Sequence, residues 1–261
     1  MNILDQIVVD KIKEIDSRKN LIPISQLENS ILFERKANSM AEKLRESKSG
    51  IIAEHKRRSP SKSIMNQKLN VQDVAKGYQS AGACGMSVLT DSKYFGGSLD
   101  DLLLSRASCS LPILRKEFVI DEYQIIEAKA FGADAILLIA AILSESEIEQ
   151  FSKVAKSLNL DVLLEIHNYL ELQKSILPNI DMIGVNNRNL KTFEVSLETS
   201  KILSEQIPNE FVKVSESGIS SISSIKELQP YGYKGFLIGE NFMKTDNPGE
   251  SAAKFIKDIE K

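Results

Sequence analysis

The strongest constraint on this chain is a recurrence. Eight short apolar runs appear in turn: Ile51–Ala53, Ser87–Leu89, Pro112–Leu114, Ala135–Ile139, Val162–Leu164, Met182–Val185, Phe211–Val214 and Gly235–Ile238. Each is continuous rather than alternating, the pattern of strands covered by helices on a parallel sheet. Consecutive runs leave room for one helix and two loops, as a parallel crossover requires. The intervening segments read as helices. Val71–Ala81 ends at Gly82, a C-cap signal. Asp121–Phe131 starts on an N-cap aspartate and stops before Gly132. Ser144–Leu158 opens with the capping pattern SESE and carries Ile148, Phe151, Val154 and Ala155 on one face. Ser220–Leu228 and Glu250–Ile259 behave likewise.

Eight strand–helix units without a break in composition predict a closed (β/α)8 TIM barrel in the α/β class, not an open doubly wound sheet. No GxGxxG follows the first strand, which argues against a dinucleotide fold. Residues 1–48 read as an N-terminal helical extension packed on the barrel, so 1–261 is expected to form a single domain. The length of 261 residues suits one such barrel.

A net charge of −3 gives no general attraction to nucleic acid or to an anionic membrane, so any basic site must be local. Two cysteines and two histidines, unclustered, argue against a disulfide framework and a metal site and fit a reducing cytoplasm. The amphipathic N-terminus lacks the apolar core and cleavage site of a signal peptide. No run approaches the length of a membrane span.

In barrels of this kind the reactive groups sit at the C-terminal ends of the strands. Those ends carry Glu54 and Lys56, Lys116, Glu165, Asn186 and Arg188, then Glu216, Ser217 and Gly218, and finally Gly239 and Glu240. One charged strand end is usually the start of a solvated loop. Lysines, carboxylates and an Asn–Arg pair at most of the ends form a set that can bind an anion and move protons. Side chains alternate along a strand, so Glu54 and Lys56 share a face while His55 points toward the helices as a packing residue. By the same period Glu165 and His167 share a face, which makes His167 the better histidine candidate. Gly218 and Gly239 follow the seventh and eighth strands, where such barrels place a phosphate against backbone N–H groups.

In its motifs the chain resembles the indole-3-glycerol phosphate synthase family. IIAEHKRRSPSKS resembles the family's first-strand motif, AEIKRASPSKG. ILDQIVVDKIKEIDSRK, SVLTDSKYFGGSLDDL, LPILRKEFVIDEYQI, ADAILLIAAIL, VLLEIHN, IGVNNRNL, VSESGI and FLIGENFM match the remaining motifs in order, over nearly the whole length. The resemblance implies the substrate 1-(2-carboxyphenylamino)-1-deoxyribulose 5-phosphate, closure of a pyrrole ring with loss of carbon dioxide and water, and no metal or organic cofactor. It implies that Lys116 is the acid at the carbonyl oxygen and that Lys56 holds the substrate carboxylate. Glu54 and Glu165 would share the other proton transfers, Asn186 would orient hydroxyls, and Ser217 would hydrogen-bond to substrate. Arg188 and Glu216 would support the charge network, with all three glutamates keeping both lysines charged. Ser59, Gly218, Gly239 and the Glu240 backbone would line the phosphate pocket, and Phe95, Phe118 and Leu137 would pack on the anthranilate ring.

The chain departs from the family at His55, where isoleucine is usual, at Arg58, where alanine is common, and at Ser63, where many relatives have glycine. Ser63 would stiffen a mobile loop after Lys56 that Arg57 and Arg58 edge. The runner-up, phosphoribosylanthranilate isomerase, relies on a cysteine–aspartate pair, and no cysteine ends the first strand here. KRRSPSK as a nucleic-acid patch is disfavoured by the negative net charge and the absence of a nucleic-acid motif. The expected partner is a phosphorylated small molecule, with no nucleic acid and no membrane. A monomer or weak oligomer is expected, and docking with other tryptophan-pathway enzymes stays open.

Overall fold

The computed structural model describes residues 3–60, 65–66, 68–190 and 192–261. Eight parallel strands close into one barrel in chain order: β1 Ile51–His55, β2 Gly85–Leu89, β3 Ile113–Lys116, β4 Ala135–Ile139, β5 Asp161–Ile166, β6 Met182–Asn186, β7 Val212–Glu216 and β8 Tyr233–Ile238. β8 returns to β1, pairing Phe236 with Ile51 and Ile238 with Ala53. Every expected strand is present. Several run further than their apolar residues, because the ladder is made by backbone groups and continues through Glu54, Lys116, Glu165, Asn186 and Glu216.

The expected helices appear as Val71–Ser80, Glu122–Ala130, Glu145–Ser157, Ile222–Leu228 and Pro248–Ile259. Their starts are fixed by side-chain caps. Asp121 accepts from Tyr123 N, Ser144 and Glu147 form a full capping box, and Ser221 accepts from Ser224 N.

Strand alternation builds two cores. Ile51, Ala53, Ile136, Leu138, Val162, Leu164, Ile183 and Val185 face out and meet the helices. Ile52, Leu114, Ala135, Leu137, Leu163, Met182, Val212, Val214 and Leu237 fill the barrel interior. On β1, β3, β5 and β7 the next inward position beyond that interior layer is a charged residue at the mouth (Glu54, Lys116, Glu165 and Glu216), and on β6 Asn186 follows Gly184.

The N-terminal segment serves both ends of the barrel. α1 (Ile3–Leu21) places Ile3, Leu4 and Ile7 at the mouth. The short α2 (Ile24–Glu28) lies on the helix Glu122–Ala130. α3 (Met40–Glu46) inserts Met40, Ala41 and Leu44 into the interior cluster from below. Asp161, at the start of β5, fastens α3 by accepting from Ser39 Oγ at 2.8 Å and from Ala41 N at 2.9 Å.

Candidate active site

The interior-facing strand ends converge on one cavity of about 410 Å3, the size of a small-molecule site. All fifteen residues singled out for the site line it: Glu54, Lys56, Ser59, Phe95, Lys116, Phe118, Leu137, Glu165, Asn186, Arg188, Glu216, Ser217, Gly218, Gly239 and Glu240. His55 does not line it and is 1% exposed on the helix side of β1.

The charges fall into two groups. Lys56 Nζ lies 2.7 Å from Glu54 Oε1, and Ser87 of β2 donates to Glu54 Oε2 at 3.4 Å. Lys116 donates to Glu216 and, at 3.3 Å, to Glu165 Oε2. Asn186 Nδ2 donates to Glu165 Oε1 at 3.1 Å, and the Arg188 backbone N–H donates to Asn186 Oδ1 at 3.0 Å, which fixes the amide's orientation. The Arg188 guanidinium donates to the Phe193 carbonyl at 3.3 Å and makes no ion pair among the described residues, unlike Glu216, which holds Lys116.

Two glycines make room for this cluster. A Cβ on Gly184 would lie 2.4 Å from Glu216 Oε1, and one on Gly239 would lie 2.5 Å from Glu54 Oε1. Any larger residue at either position would displace a carboxylate.

Burial opposes charge on Lys116, but Glu216, Glu165 and Glu54 outweigh it and hold the ammonium above its ordinary range. Burial also works against Glu165, yet Lys116, His167 and Asn186 keep it below the usual carboxylate value. Glu216 takes the remainder. Burial, with the charges of Glu165 and Glu54, pushes it up to about 7 against the pull of Lys116. The site therefore holds a charged lysine, an ionised carboxylate and a second carboxyl whose pKa is pushed up to about 7.

At the opposite rim Ser217 and Gly218 both take left-handed conformations, with φ of 64° and 77°. For serine this costs energy unless neighbours enforce it. Asn187 does so: its Nδ2 donates to Ser215 Oγ at 2.9 Å, Glu216 O at 3.0 Å and Ser217 O at 3.1 Å, while its Oδ1 accepts from Ser200 Oγ at 2.8 Å. Gly239 opens the short helix Glu240–Met243 beside this turn. The Phe95 and Phe118 rings stand 6.0 Å apart on the apolar side, with Leu137. Arg57 forms a two-pronged pair with Asp101 and donates to Gly96 O at 3.1 Å, and Arg58 donates to Ser92 O, so both are tied to the segment after β2. Ser63 lies outside the described residues.

Sequence reasoning missed the roof and the braces. Ile3, Leu4 and Ile7 cover the apolar side, and Phe193 and Val195 approach from the loop after β6. Lys11 of α1, 2% exposed, pairs with Asp91 at 2.8 Å and Glu117 at 3.1 Å. Asp91 caps the turn bearing Phe95, and Glu117 accepts from the Phe118 N–H. One lysine thus ties α1 to both aromatic residues of the cavity. A signal was available, because Lys11 interrupts the buried stripe Ile7–Lys11–Ile15. Asn187 could have been found as the polar, helix-facing residue between two mouth-facing ones.

The fold and the site define a (β/α)8-barrel enzyme working by acid–base chemistry. Comparison with known proteins narrows this. The model of the indole-3-glycerol phosphate synthase family matches residues 4–256. An indole-3-glycerol phosphate synthase of Bacteroides thetaiotaomicron is 48% identical over 259 residues, 99% of each chain. One of Polaromonas naphthalenivorans is 40% identical over 98% of each. Among solved structures, thiamine phosphate pyrophosphorylase from Pyrococcus furiosus superposes with a TM-score of 0.59 at 15% identity, over 81% of this chain and 97% of that one. A chain of the tryptophan synthase complex from a hyperthermophile, Pyrococcus furiosus, gives the same values. At that identity the two structures speak to the fold alone. The chain belongs to the indole-3-glycerol phosphate synthase family, the decarboxylating, ring-closing carboxy-lyases of tryptophan biosynthesis.

Proposed function

We propose that this cavity converts 1-(2-carboxyphenylamino)-1-deoxyribulose 5-phosphate to indole-3-glycerol phosphate, carbon dioxide and water through the residues above. Lys116 gives its proton to the ketone oxygen as the aromatic carbon bonds to the carbonyl carbon. Lys56 holds the carboxylate, which leaves as carbon dioxide and returns its bonding electrons to the ring. A second proton, from Lys56, carries the hydroxyl away as water, and Glu54 removes the ring proton and returns it to Lys56, 2.7 Å away, while Glu165 serves Lys116. Asn186 and Ser217 hydrogen-bond to the chain hydroxyls, Glu216 completes the charge network around Lys116, and the Arg188 guanidinium, outside that network, contacts the substrate. Ser59, Gly218, Gly239 and the Glu240 backbone receive the phosphate, and Phe95, Phe118 and Leu137 flank the aromatic ring.

The observation that carries this reading is the half-buried Lys116 ammonium, bonded to Glu216 and Glu165 in the same cavity as the Lys56–Glu54 pair. It is an acid kept charged beside a carboxylate that can take a proton. We read the chain as one domain acting in the cytoplasm as a monomer or weak oligomer; the two free cysteines fit a reducing compartment. The chain contains no tryptophan, so product indole fluorescence rises over a weak protein background. A fluorimeter trace with substrate tests the proposal: steady growth of indole emission is expected, and a flat trace with folded enzyme refutes it.

A further inference from the structure

Behind Glu165 lies a second cavity of about 610 Å3, lined mostly by polar residues of the segments after β5 and β6 and meeting the first cavity at Leu4, Asn186, Arg188 and Leu190. His167 and Glu171 line this second cavity and not the first. His167 Nε2 is buried without a hydrogen bond among the described residues and stands 3.4 Å from Glu165 Oε1, a gap that a small shift of the imidazole closes, so the ring separates the carboxylate from the second chamber. Glu171 Oε2 accepts the His167 backbone N–H at 2.8 Å and lies 3.1 Å from Nδ1, while its Oε1 accepts from Asn168 Nδ2 at 2.7 Å. An oxygen that already accepts from the backbone is the acceptor at Nδ1 as well. This assigns the Nδ1–H tautomer and leaves Nε2 facing Glu165.

Proton accounting gives this line a purpose. In the reaction proposed above, two protons are given to the substrate, at the ketone oxygen and at the departing hydroxyl, and one is taken back. One proton is consumed per turnover as a carboxylate leaves as carbon dioxide. Lys116 gives its proton inside a cavity that the substrate fills, so its supply has to come from another side.

We propose that Glu171 and His167 form a proton line that feeds Glu165 and, through it, Lys116 from the second chamber. The inference rests on the functional reading above. His167 is a positioning residue that acts through Glu165, whose two oxygens face His167 on one side and Lys116 on the other. In the resupply step the His167 imidazolium gives its Nε2 proton to Glu165. The Glu165 carboxyl then turns to present that same proton to the neutral Lys116 amine, which now faces it, and solvent in the chamber reprotonates the imidazole. No electrons are exchanged and only N–H and O–H bonds change. Burial disfavours the imidazolium, but Glu171, Glu165 and Glu216 face it and raise its proton affinity above that of a free histidine. Lys116 sits beyond Glu165, and Glu194 and Arg188 complete the charged lining of the chamber.

The test is steady-state turnover of the anilino-deoxyribulose phosphate by wild type, His167→Ala and Glu171→Gln in dilute buffer, with and without added imidazole. For His167→Ala, kcat is expected to fall about 100-fold, the lower end of what a proton-transfer group contributes. KM should change little, because His167 does not line the substrate cavity. Added imidazole should restore kcat in proportion to its concentration, while an ionic-strength-matched salt should not. Glu171→Gln should lower kcat and displace the acidic limb of the pH profile. A folded His167→Ala enzyme with wild-type kcat, or with a reduced kcat indifferent to imidazole, overturns the proposal. If that variant does not fold, an unshifted pH profile in Glu171→Gln overturns it instead. Absence of turnover by the wild type refutes the functional reading, and this inference falls with it.

Discussion

His55 offers a measurement that isolates one buried group. It occupies the outward position of β1, 1% exposed, and its Nε2 has no hydrogen-bond partner among the described residues. Burial, reinforced by the Arg57 charge and only partly offset by Asp101 and Glu54, lowers its pKa to about 4. In the unfolded chain the imidazole titrates near its ordinary value of about 6.5. The folded value is the lower one, so the unfolded state binds the proton first, and stability falls as pH drops from 6.5 toward 4. Between pH 7 and pH 5 the wild type loses about 2 kcal/mol through this residue alone. His55→Ile inserts a β-branched residue of similar size into the strand, removes the unpaired nitrogen and abolishes the titration. An unsatisfied buried polar atom costs about 1–3 kcal/mol, so the variant should be more stable already at pH 7. Its advantage should widen by about 2 kcal/mol at pH 5, roughly 6 °C in melting temperature for a chain of this size. Urea denaturation of both proteins at the two pH values measures this. Every other carboxyl and histidine is common to both, so the difference between the differences belongs to His55. Parallel stability profiles from pH 7 to pH 5 would refute the buried neutral histidine. A variant less stable at both pH values would show that Nε2 is satisfied.

Other outcomes follow from the same structure. Lys116→Met should reduce kcat by about 10²–10⁴-fold, the range for a lost general acid, while circular dichroism stays native. Gly184→Ala forces a Cβ to within 2.4 Å of Glu216 Oε1. The displaced carboxylate releases Lys116, and turnover should drop by up to about 100-fold, read against an unchanged spectrum. Lys11→Met leaves Asp91 and Glu117 buried without their cation. It should destabilise the fold by about 3 kcal/mol in denaturant titrations and raise KM by loosening Phe95 and Phe118. Glu216→Gln should remove a group titrating near pH 7 from the profile of kcat/KM, which reports the free enzyme.

The barrel was legible because its signal is local and repeated. Each apolar run declares a strand, and the next polar residue on the inward face declares the mouth, so Glu54, Lys116, Glu165, Asn186 and Glu216 could be named together. What stayed hidden depends on partners distant in sequence. Lys11 is explained only by Asp91 and Glu117, and Asn187 only by the turn it holds at Ser217. Gly184 matters because of a carboxylate on the neighbouring strand. The roof formed by Ile3, Leu4 and Ile7 escaped because an amphipathic helix does not announce which end of a barrel it will cover. The paired face of Glu165 and His167 was readable from alternation, but the chamber behind it was not.

The N-terminal segment deserves to be seen as plumbing. A chain that began at Ile51 would keep all eight strands, the packed interior and every charged end of the site, but that interior would lie bare at the base and the mouth would lose a wall. α3 is the stopper at the base, drawn in by Asp161, and the first turns of α1 are the rim that narrows the top. Holding a reaction in which water must be kept out until it is itself released calls for a vessel, and here the same fifty residues supply both its bottom and its lip.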